Sequence, residues 1–364
     1  MKFLAFQVAF VASTANTGNE RVTCDHADFF DPSILPEGFD NDLALCKWIQ
    51  GMKFQRELLA IEKAEHESTF EQVDWRSEEI NFALDGTSRC QVRIQYSMRS
   101  NLIQADAETT LCDCAELRAN NRLVRYSLPS HSDLDEGEGI PVVMMFHGWT
   151  ISSITSFRTE DDYYCQNNKV RVTQALLDAG YAVFAPSASA LGDNQDGGDW
   201  AYWLTNIPGY DSLDNWTRSS DHQMLINLWS QLSRGLHGYK FNLNKMHATG
   251  FSSGGFMTSR MGFSYPGMFN SLSINGGSYY NCDGVCNRYL DEFEKELIDL
   301  HPPTQILRGA TDPVVLASSN VDYDRELNRR DWITNRRVNR EKVGHRWLDE
   351  APELILDWIK RHNK

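Results

Sequence analysis

Short apolar runs alternate with helical patterns from residue 121 to the C-terminus, and this alternation constrains the fold more than any other feature of the sequence. The clearest run is Ile140–Phe146 (IPVVMMF), which is typical of a parallel strand buried on both faces. The other strand-like runs are Arg122–Leu128, Tyr181–Ala185, Lys245–Thr249, Ser271–Ile274 and Gln305–Leu307. Because strands that alternate with helices usually pair in parallel, the sequence predicts the α/β class, with a doubly wound, mostly parallel sheet flanked by helices.

Helical patterns fill the segments between these runs. Residues 174–179 close a predicted helix that Gly180 stops, and His222–Leu232 predicts a second helix. Met257 and Met261 lie on one side of a third, and a last helix is predicted from about Pro352 to His362. Strand, turn and helix therefore recur in the order that a doubly wound sheet requires.

The first part of the chain differs from the rest in composition. Residues 1–15 combine Lys2, an apolar stretch and small residues before Asn16, which predicts a signal peptide; a buried N-terminal strand is the alternative. Residues 16–120 are polar, contain five of the eight cysteines and show a helical pattern over Leu43–Glu71. We therefore expect a signal peptide (1–15), a helical and disulfide-containing N-terminal extension (16–120) and a main α/β domain (121–364).

The chain has eight cysteines, an even number that an exported protein is expected to pair. The spacings of Cys112 to Cys114 and of Cys282 to Cys286 do not fit a zinc site, because neither is CxxC and no histidine pair follows. We expect structural disulfides and a secreted protein, with free thiols or metal ligands as the alternative. The pairing stays open, although Cys282 and Cys286 could close a small loop.

Charge and hydropathy exclude several classes of partner. The chain carries 50 acidic and 35 basic residues, and a net charge of -15 repels phosphate backbones and anionic lipids. No segment after the N-terminus approaches the roughly 20 apolar residues of a membrane span. We expect no nucleic acid partner, no membrane span and, by default, a monomer. The basic stretch Arg325–Lys342 is interpreted as a solvated face, with a funnel for anionic substrates as the alternative.

The segment Gly250-Phe251-Ser252-Ser253-Gly254 fits the pattern GxSxG, with a predicted strand before it and a predicted helix after it. This pattern is typical of a sharp strand-to-helix turn that exposes the serine hydroxyl, where glycine lets neighbouring backbone pack closely. A glycine-rich turn without catalytic function is the alternative. The context favours Ser252, at the apex of the turn, as a nucleophile.

A serine hydroxyl is a weak nucleophile and needs a general base, which an acid orients. In this architecture the three residues follow one another as serine, acid and histidine. Asp312 follows the predicted strand Gln305–Leu307 and is the candidate acid, although an aspartate before proline is often only a turn former. His345 comes next and is the candidate base, because His301 precedes the acid and His362 falls in the final helix.

The tetrahedral intermediate of acyl transfer needs backbone N–H donors for its oxyanion. The turn geometry favours the amide of Ser253 as one donor. The second is expected from the loop after Ile140–Phe146, where Trp149 is the first candidate and Thr150 the second. His147 in the same loop is interpreted as a structural, hydrogen-bonded histidine.

Aromatic residues are dense in the segments between the predicted strands. They are Trp200, Tyr202, Trp203, Trp216, Tyr279 and Tyr280. Loops at the carboxyl ends of parallel strands line the cleft of such a sheet, so Trp200 and Tyr279 are candidate substrate-binding residues, with packing of loops on the core as the alternative. The acidic run Asp193–Asp199 lacks the spacing of a calcium loop and is interpreted as a turn, so we expect no metal.

Several of these motifs together resemble one family of secreted esterases. They are HGW after a buried strand, GFSSGG followed by Tyr265-Pro266 and Phe269, then RGATDPVV and the late GHRW. This combination is similar to polyhydroxybutyrate depolymerases and feruloyl or acetylxylan esterases, from about Asn121 to the C-terminus. The resemblance implies an α/β-hydrolase fold, no cofactor, and Ser252, Asp312 and His345 as nucleophile, acid and base.

The expected function is that of a secreted serine carboxylic-ester hydrolase that acts through an acyl-enzyme on a small or polymeric ester. The preference for esters over peptides comes from the resemblance, since the same three residues could cleave an amide. A secreted serine peptidase of this fold is therefore one alternative. A binding protein that kept the fold without catalysis is the other.

Overall fold

The structure is a computed structural model of the chain. It describes residues 88–99, 102–130, 139–149, 151–158, 166–188, 203–206, 216, 218–265, 267–279, 301–329, 334–339 and 343–363. The predicted signal peptide, the helical pattern Leu43–Glu71, the acidic run Asp193–Asp199, and Cys282 with Cys286 lie outside these residues.

Ten strands and five α-helices are found in the described residues. In chain order the strands are β1 (Cys90–Arg99), β2 (Leu102–Cys112), β3 (Ala115–Ala119), β4 (Arg122–Ser127), β5 (Ile140–Phe146), β6 (Ala182–Pro186), β7 (Phe241–Phe251), β8 (Ser271–Asn275), β9 (Thr304–Gly309) and β10 (Thr334–Asn339). The helices are α1 (Gln166–Asp178), α2 (Ser220–Arg234), α3 (Ser253–Ser264), α4 (Ala317–Arg329) and α5 (Ala351–Arg361). None of the helices in this part of the chain is long and apolar enough to cross a membrane.

Eight strands form one sheet in the order β10-β9-β8-β7-β5-β6-β4-β3. The strands from β10 to β6 are parallel to their neighbours, whereas β4 is antiparallel to both β6 and β3. The chain order reverses beside β5, which has β6 on one side and β7 on the other. The prediction of a doubly wound, mostly parallel sheet is therefore confirmed.

The core lies in two layers, one on each face of the sheet. Strand β5 shows why, because side chains alternate between the two faces of a strand. Val142 and Met144 pack into the cluster beneath α2 and α3, whereas Val143 and Met145 pack into the cluster beneath α1 and α5. Every residue of β5 is buried, as its uninterrupted apolar sequence predicts.

The differences from the predicted elements have physical reasons. Strand β7 begins at Phe241 rather than at the predicted Lys245. Its first residues are mostly half-exposed and mix polar with apolar side chains, so they do not form an apolar run that predicts a strand. Strand β10 (TNRRVN) was not predicted, because it lacks a long apolar run; among the described strands it pairs only with β9, at the edge of the sheet. Strand β3 lies before the predicted domain boundary at residue 121 but belongs to the main sheet.

Strands β1 and β2 form a separate two-stranded antiparallel hairpin in the predicted N-terminal extension. Its two ends are joined by a disulfide between Cys90 and Cys112. Cys112 and Cys90 also belong to the apolar cluster beneath α1. Cys114 is a free thiol, unlike the expected pairing of all the cysteines, and burial raises its pKa to about 11.

The basic stretch Arg325–Lys342 starts in α4. Arg325 is exposed and pairs with Asp322, and Arg329 is exposed and pairs with Glu326. The interpretation as a solvated face is confirmed for this helical part.

A buried ion pair joins the antiparallel end of the sheet to α2. The Nη1 atom of Arg122 on β4 lies 2.5 Å from Oδ1 of Asp221, whose side chain is fully buried. The second carboxylate oxygen of Asp221 accepts the amide of Leu204 at 2.7 Å. Arg122 also donates to the carbonyl of Ser187, which follows β6. One charge pair thus connects four segments of the chain.

We predict that Asp221→Asn lowers the free energy of unfolding by about 3 kcal/mol, because it leaves a largely buried guanidinium without its counter-charge. Urea denaturation followed by circular dichroism measures this change. The control is Glu116→Gln, which removes the partner of Arg125 in an ion pair whose carboxylate is 53% exposed, and which should cost less than about 1 kcal/mol. Equal losses in the two variants would contradict the structural role of the buried pair.

Candidate active site

Ser252 lies in the turn between β7 and α3, in a backbone conformation that residues other than glycine rarely adopt. Its φ is 55° and its ψ is -119°, which is strained for a residue with a Cβ atom. Its amide donates to the carbonyl of Asn275 on β8 at 3.0 Å, and its own carbonyl accepts the amides of Gly255 and Phe256. These bonds hold the turn in a shape that places the serine at its apex.

Two glycines make this turn possible. A Cβ atom on Gly250 would lie 2.3 Å from the carbonyl oxygen of Gly254, and one on Gly254 would lie 2.1 Å from the carbonyl oxygen of Phe146. Both distances are far below van der Waals contact. The first turn of α3 can therefore pack directly on the ends of β5 and β7 only because both positions of GxSxG are glycine.

Asp312 follows β9, at the carboxyl end of the sheet, and its carboxylate is held from two sides. Oδ1 accepts the amides of Val314 at 2.8 Å and Val315 at 3.0 Å. Oδ2 lies 2.8 Å from Nδ1 of His345. The side chain of Asp312 is fully buried, so its orientation is fixed by these contacts.

His345 lies in the loop that precedes α5, and its ring packs on the residue before the serine. The ring centroids of His345 and Phe251 are 4.7 Å apart. Because an ionised carboxylate only accepts hydrogen bonds, the bond to Asp312 places the proton of the neutral imidazole on Nδ1. The unprotonated Nε2 is then the atom left to act as a base.

The electrostatic state of Asp312 follows from opposing effects. Burial alone would raise the pKa of its carboxyl, but the hydrogen bond from His345 and the amides of Val314 and Val315 outweigh burial and lower the pKa below its ordinary value. The carboxylate therefore stays ionised at neutral pH and can stabilise a positive charge on His345.

The loop after β5 lies against the same turn. A Cβ atom on Gly148 would lie 3.3 Å from the ring of Phe251, so this loop passes close to the residue that precedes Ser252. Trp149 comes next, and its side chain is 55% exposed. Ser253 is the first residue of α3, where amide groups have no acceptor in a preceding helical turn. Thr150 lies outside the described residues.

His147 is buried and engaged on both ring nitrogens. Nε2 accepts the amide of Ala188 at 2.8 Å, so Nδ1 carries the proton and donates to the carbonyl of Gly148 at 2.7 Å. Burial, together with the positive charge of Lys169, lowers the pKa of His147 to about 3. His147 is therefore neutral and supports the loop, in agreement with its interpretation as a structural histidine.

The three aromatic candidates that the structure describes are buried. Tyr279 is only 5% exposed and packs on Phe263 and Tyr323, with centroids 4.4 and 5.6 Å away. Trp203 and Trp216 are fully buried. These three residues have the surroundings of core side chains, which is the alternative stated for them. Trp200, Tyr202 and Tyr280 lie outside the described residues.

Two residues that shape the turn were not predicted from the sequence. Asn275 accepts the amide of Ser252 through its carbonyl, and its side chain donates to Thr249 Oγ1 and to the carbonyl of Gly250. Phe251 lies between the rings of His345 and Trp347. The residue between glycine and serine in GxSxG can be of any type, so the motif does not indicate a role for Phe251. The role of Asn275 can be recognised only once β8 is placed beside β7.

In the described part of the chain, no group of three or more histidine, cysteine or acidic side chains is arranged to hold a metal ion. What the arrangement offers is a strained serine at the start of a helix and a histidine that a buried carboxylate orients and that packs on the residue before the serine. Such a set of groups can carry out nucleophilic acyl transfer without a bound cofactor.

Comparison with known proteins connects this site to a family. No protein-family model matches the chain. The chain is 32% identical over 283 residues to a poly(3-hydroxyoctanoate) depolymerase of Pseudomonas fluorescens, an alignment that covers 76% of this chain and 91% of that enzyme.

The solved structures that the chain matches are more distant in sequence. A ferulic acid esterase is 13% identical, with a TM-score of 0.45, over 76% of this chain and 100% of the other. An S-formylglutathione hydrolase of Agrobacterium tumefaciens is 14% identical, with a TM-score of 0.46, over 76% of this chain and 97% of the other. The family assignment rests on the sequence relative, whose identity and coverage are high enough to show common descent. The chain therefore belongs to the family of carboxylic ester hydrolases that contains the poly(3-hydroxyoctanoate) depolymerase of Pseudomonas fluorescens.

Proposed function

We propose that this protein is a secreted serine esterase that cleaves hydrophobic polyesters of hydroxyalkanoic acids through a triad of Ser252, His345 and Asp312. The observation that carries the proposal is the 2.8 Å hydrogen bond between His345 and Asp312. The ring of His345 packs on Phe251, the residue before a serine with the left-handed backbone of a strained turn. The substrate class comes from the relative, which is a poly(3-hydroxyoctanoate) depolymerase.

The first half of the reaction forms an acyl-enzyme. Nε2 of His345 takes the proton of the Ser252 hydroxyl while Oγ attacks the carbonyl carbon of the ester. The carbonyl oxygen becomes an oxyanion, which accepts the amides of Ser253 and Trp149. The bond to the alcohol oxygen then breaks, and the alcohol leaves with the proton from His345.

The second half restores the enzyme. His345 takes a proton from water, the hydroxide attacks the acyl carbon, and the second tetrahedral intermediate collapses to release the carboxylic acid and return the proton to Ser252. Asp312 stays ionised throughout and stabilises the positive charge on His345. The lowered pKa of Asp312 supports this role.

Exposed apolar side chains near the site support a hydrophobic substrate. Four large hydrophobic residues are exposed among the described residues: Val92 at 49%, Trp149 at 55%, Val314 at 61% and Leu316 at 64%. Three of them lie in the loops that follow β5 and β9. Trp149 carries a proposed oxyanion donor, and Val314 and Leu316 closely follow the proposed acid Asp312 in sequence. Apolar side chains held in water at this edge of the sheet can gain stability by contact with the alkyl groups of a substrate.

Secretion is supported by the cysteines and by the N-terminus. The disulfide between Cys90 and Cys112 joins two strands of the hairpin, and disulfides persist in oxidising compartments. The apolar residues 1–15 are the proposed signal peptide. The free thiol of Cys114 is compatible with export, because burial raises its pKa and keeps it unreactive.

We predict that Ser252→Ala lowers kcat for p-nitrophenyl octanoate by at least about 1,000-fold, because removal of a triad nucleophile leaves only binding and the oxyanion donors. The matched control is Ser253→Ala, which keeps the proposed backbone donor and removes only the neighbouring hydroxyl, and which should retain activity within about 10-fold. Release of 3-hydroxyoctanoate from a poly(3-hydroxyoctanoate) film should follow the same order. Loss of activity in Ser253→Ala with full activity in Ser252→Ala would reject this nucleophile.

We predict that Leu316→Ser lowers kcat/KM for p-nitrophenyl octanoate by about 5-fold and leaves the acetate ester unchanged, because a buried methylene contributes about 0.8 kcal/mol. Val92→Thr is the control, since Val92 is also exposed but lies on the β1–β2 hairpin. The measurement is the ratio of the two kcat/KM values in each variant. An unchanged ratio in Leu316→Ser would exclude this side chain from the acyl site.

A further inference from the structure

Arg308 is the last residue but one of β9, and its side chain contacts the loop that carries Asp312. Its side chain is buried, with the residue only 5% exposed. Nη2 donates to the carbonyls of Asp312 at 3.4 Å and Val315 at 3.2 Å. In the described part of the chain, its hydrogen bonds go to carbonyl oxygens rather than to a carboxylate. A guanidinium is costly to bury, so its position at these two carbonyls needs a reason.

Val315 joins Arg308 to the carboxylate of Asp312. The carbonyl of Val315 accepts from Arg308, and the amide of the same residue donates to Oδ1 of Asp312 at 3.0 Å. Oδ2 of Asp312 in turn bonds to His345. A continuous series of hydrogen bonds thus runs from the guanidinium through one backbone residue to the imidazole.

The neighbouring residue fixes the other side of the same loop. A Cβ atom on Gly309 would lie 2.2 Å from the carbonyl oxygen of Val343, so β9 touches the loop that leads to His345. The amide of Thr311 donates to the carbonyl of Val343 at 3.0 Å. With this contact in place, the conformation of residues 312–315 decides the distance between Asp312 and His345.

We infer that Arg308 is a positioning residue, which holds the loop of residues 312–315 in the conformation that directs Asp312 at His345. The inference rests on the proposed function, in which Asp312 orients the base. Arg308 does not contact substrate and acts only through Asp312. A guanidinium suits this task because one nitrogen can donate to two carbonyls at the same time.

The first test is kinetic. Arg308→Met should lower kcat for p-nitrophenyl octanoate by about 10- to 100-fold, because small errors in the position of a catalytic group cost up to about 100-fold. KM should change by less than about 2-fold, because the residue does not touch substrate. Arg308→Lys, which keeps the charge and one donor group, should recover part of the loss.

Trp358→Phe controls for a general loss of stability. Trp358 on α5 donates to the carbonyl of Leu272 near the amino end of β8 at 3.0 Å, so this variant also removes a buried bond from a side chain to a carbonyl, but away from Asp312. It should lower the melting temperature and keep kcat within about 2-fold. An equal fall of kcat in both variants would overturn the inference.

The second test asks whether Arg308 acts through Asp312. In the Asp312→Asn background, the Arg308→Met substitution should change kcat by less than about 2-fold, because the group that it positions is already lost. A full additional loss in the double variant would show that Arg308 acts by another route.

The third test does not depend on activity. The Nδ1–H resonance of His345, assigned by its absence in His345→Ala, should move upfield and exchange faster with water in Arg308→Met and remain unchanged in Trp358→Phe. An unchanged resonance in folded Arg308→Met, or in Arg308→Lys if the methionine variant does not fold, would overturn the inference. If the wild type has no esterase activity that depends on Ser252, the proposed function fails, while this resonance still decides the role of Arg308.

Discussion

The close approach of α3 to the ends of β5 and β7 is the contact on which the rest of the site depends. Gly250 and Gly254 allow this approach, because a Cβ atom at either position would overlap a backbone carbonyl. The approach gives Ser252 its left-handed backbone. Phe251, the residue before it, supports the ring of His345 and the loop of Gly148. Packing at the centre of the sheet thus holds Ser252 in its strained backbone conformation.

The centre of the fold was predictable from sequence because it is the part with the strongest signals. The run Ile140–Phe146 is apolar on both faces, and the structure buries all of it. The less buried parts were not predictable, since β10 pairs on one side only and the first residues of the central strand β7 are mostly half-exposed. Strand β3 was placed in the extension because five mixed residues do not show to which sheet they belong.

In the candidate site, too, some residues could be predicted from the sequence and others could not. Ser252, Asp312 and His345 could be nominated because each follows or precedes a recognisable strand or helix, and the structure places Asp312 beside His345. Their supports could not be nominated, because Asn275 contacts Ser252 and Arg308 contacts the loop of Asp312 through backbone groups, which the residue types of a sequence do not reveal. Tyr279 was proposed as a substrate contact from its place after β8, but burial depends on which neighbours pack on it, and Phe263 and Tyr323 do.

The identity of the nucleophile is the central claim, and covalent labelling tests it most directly. The native protein would be treated with a fluorophosphonate, digested and analysed by tandem mass spectrometry. We expect one adduct, on Ser252, which is lost when His345 is replaced by alanine or when the protein is unfolded before treatment. An adduct on Ser253, or an active enzyme that carries no adduct on Ser252, would contradict the proposed mechanism.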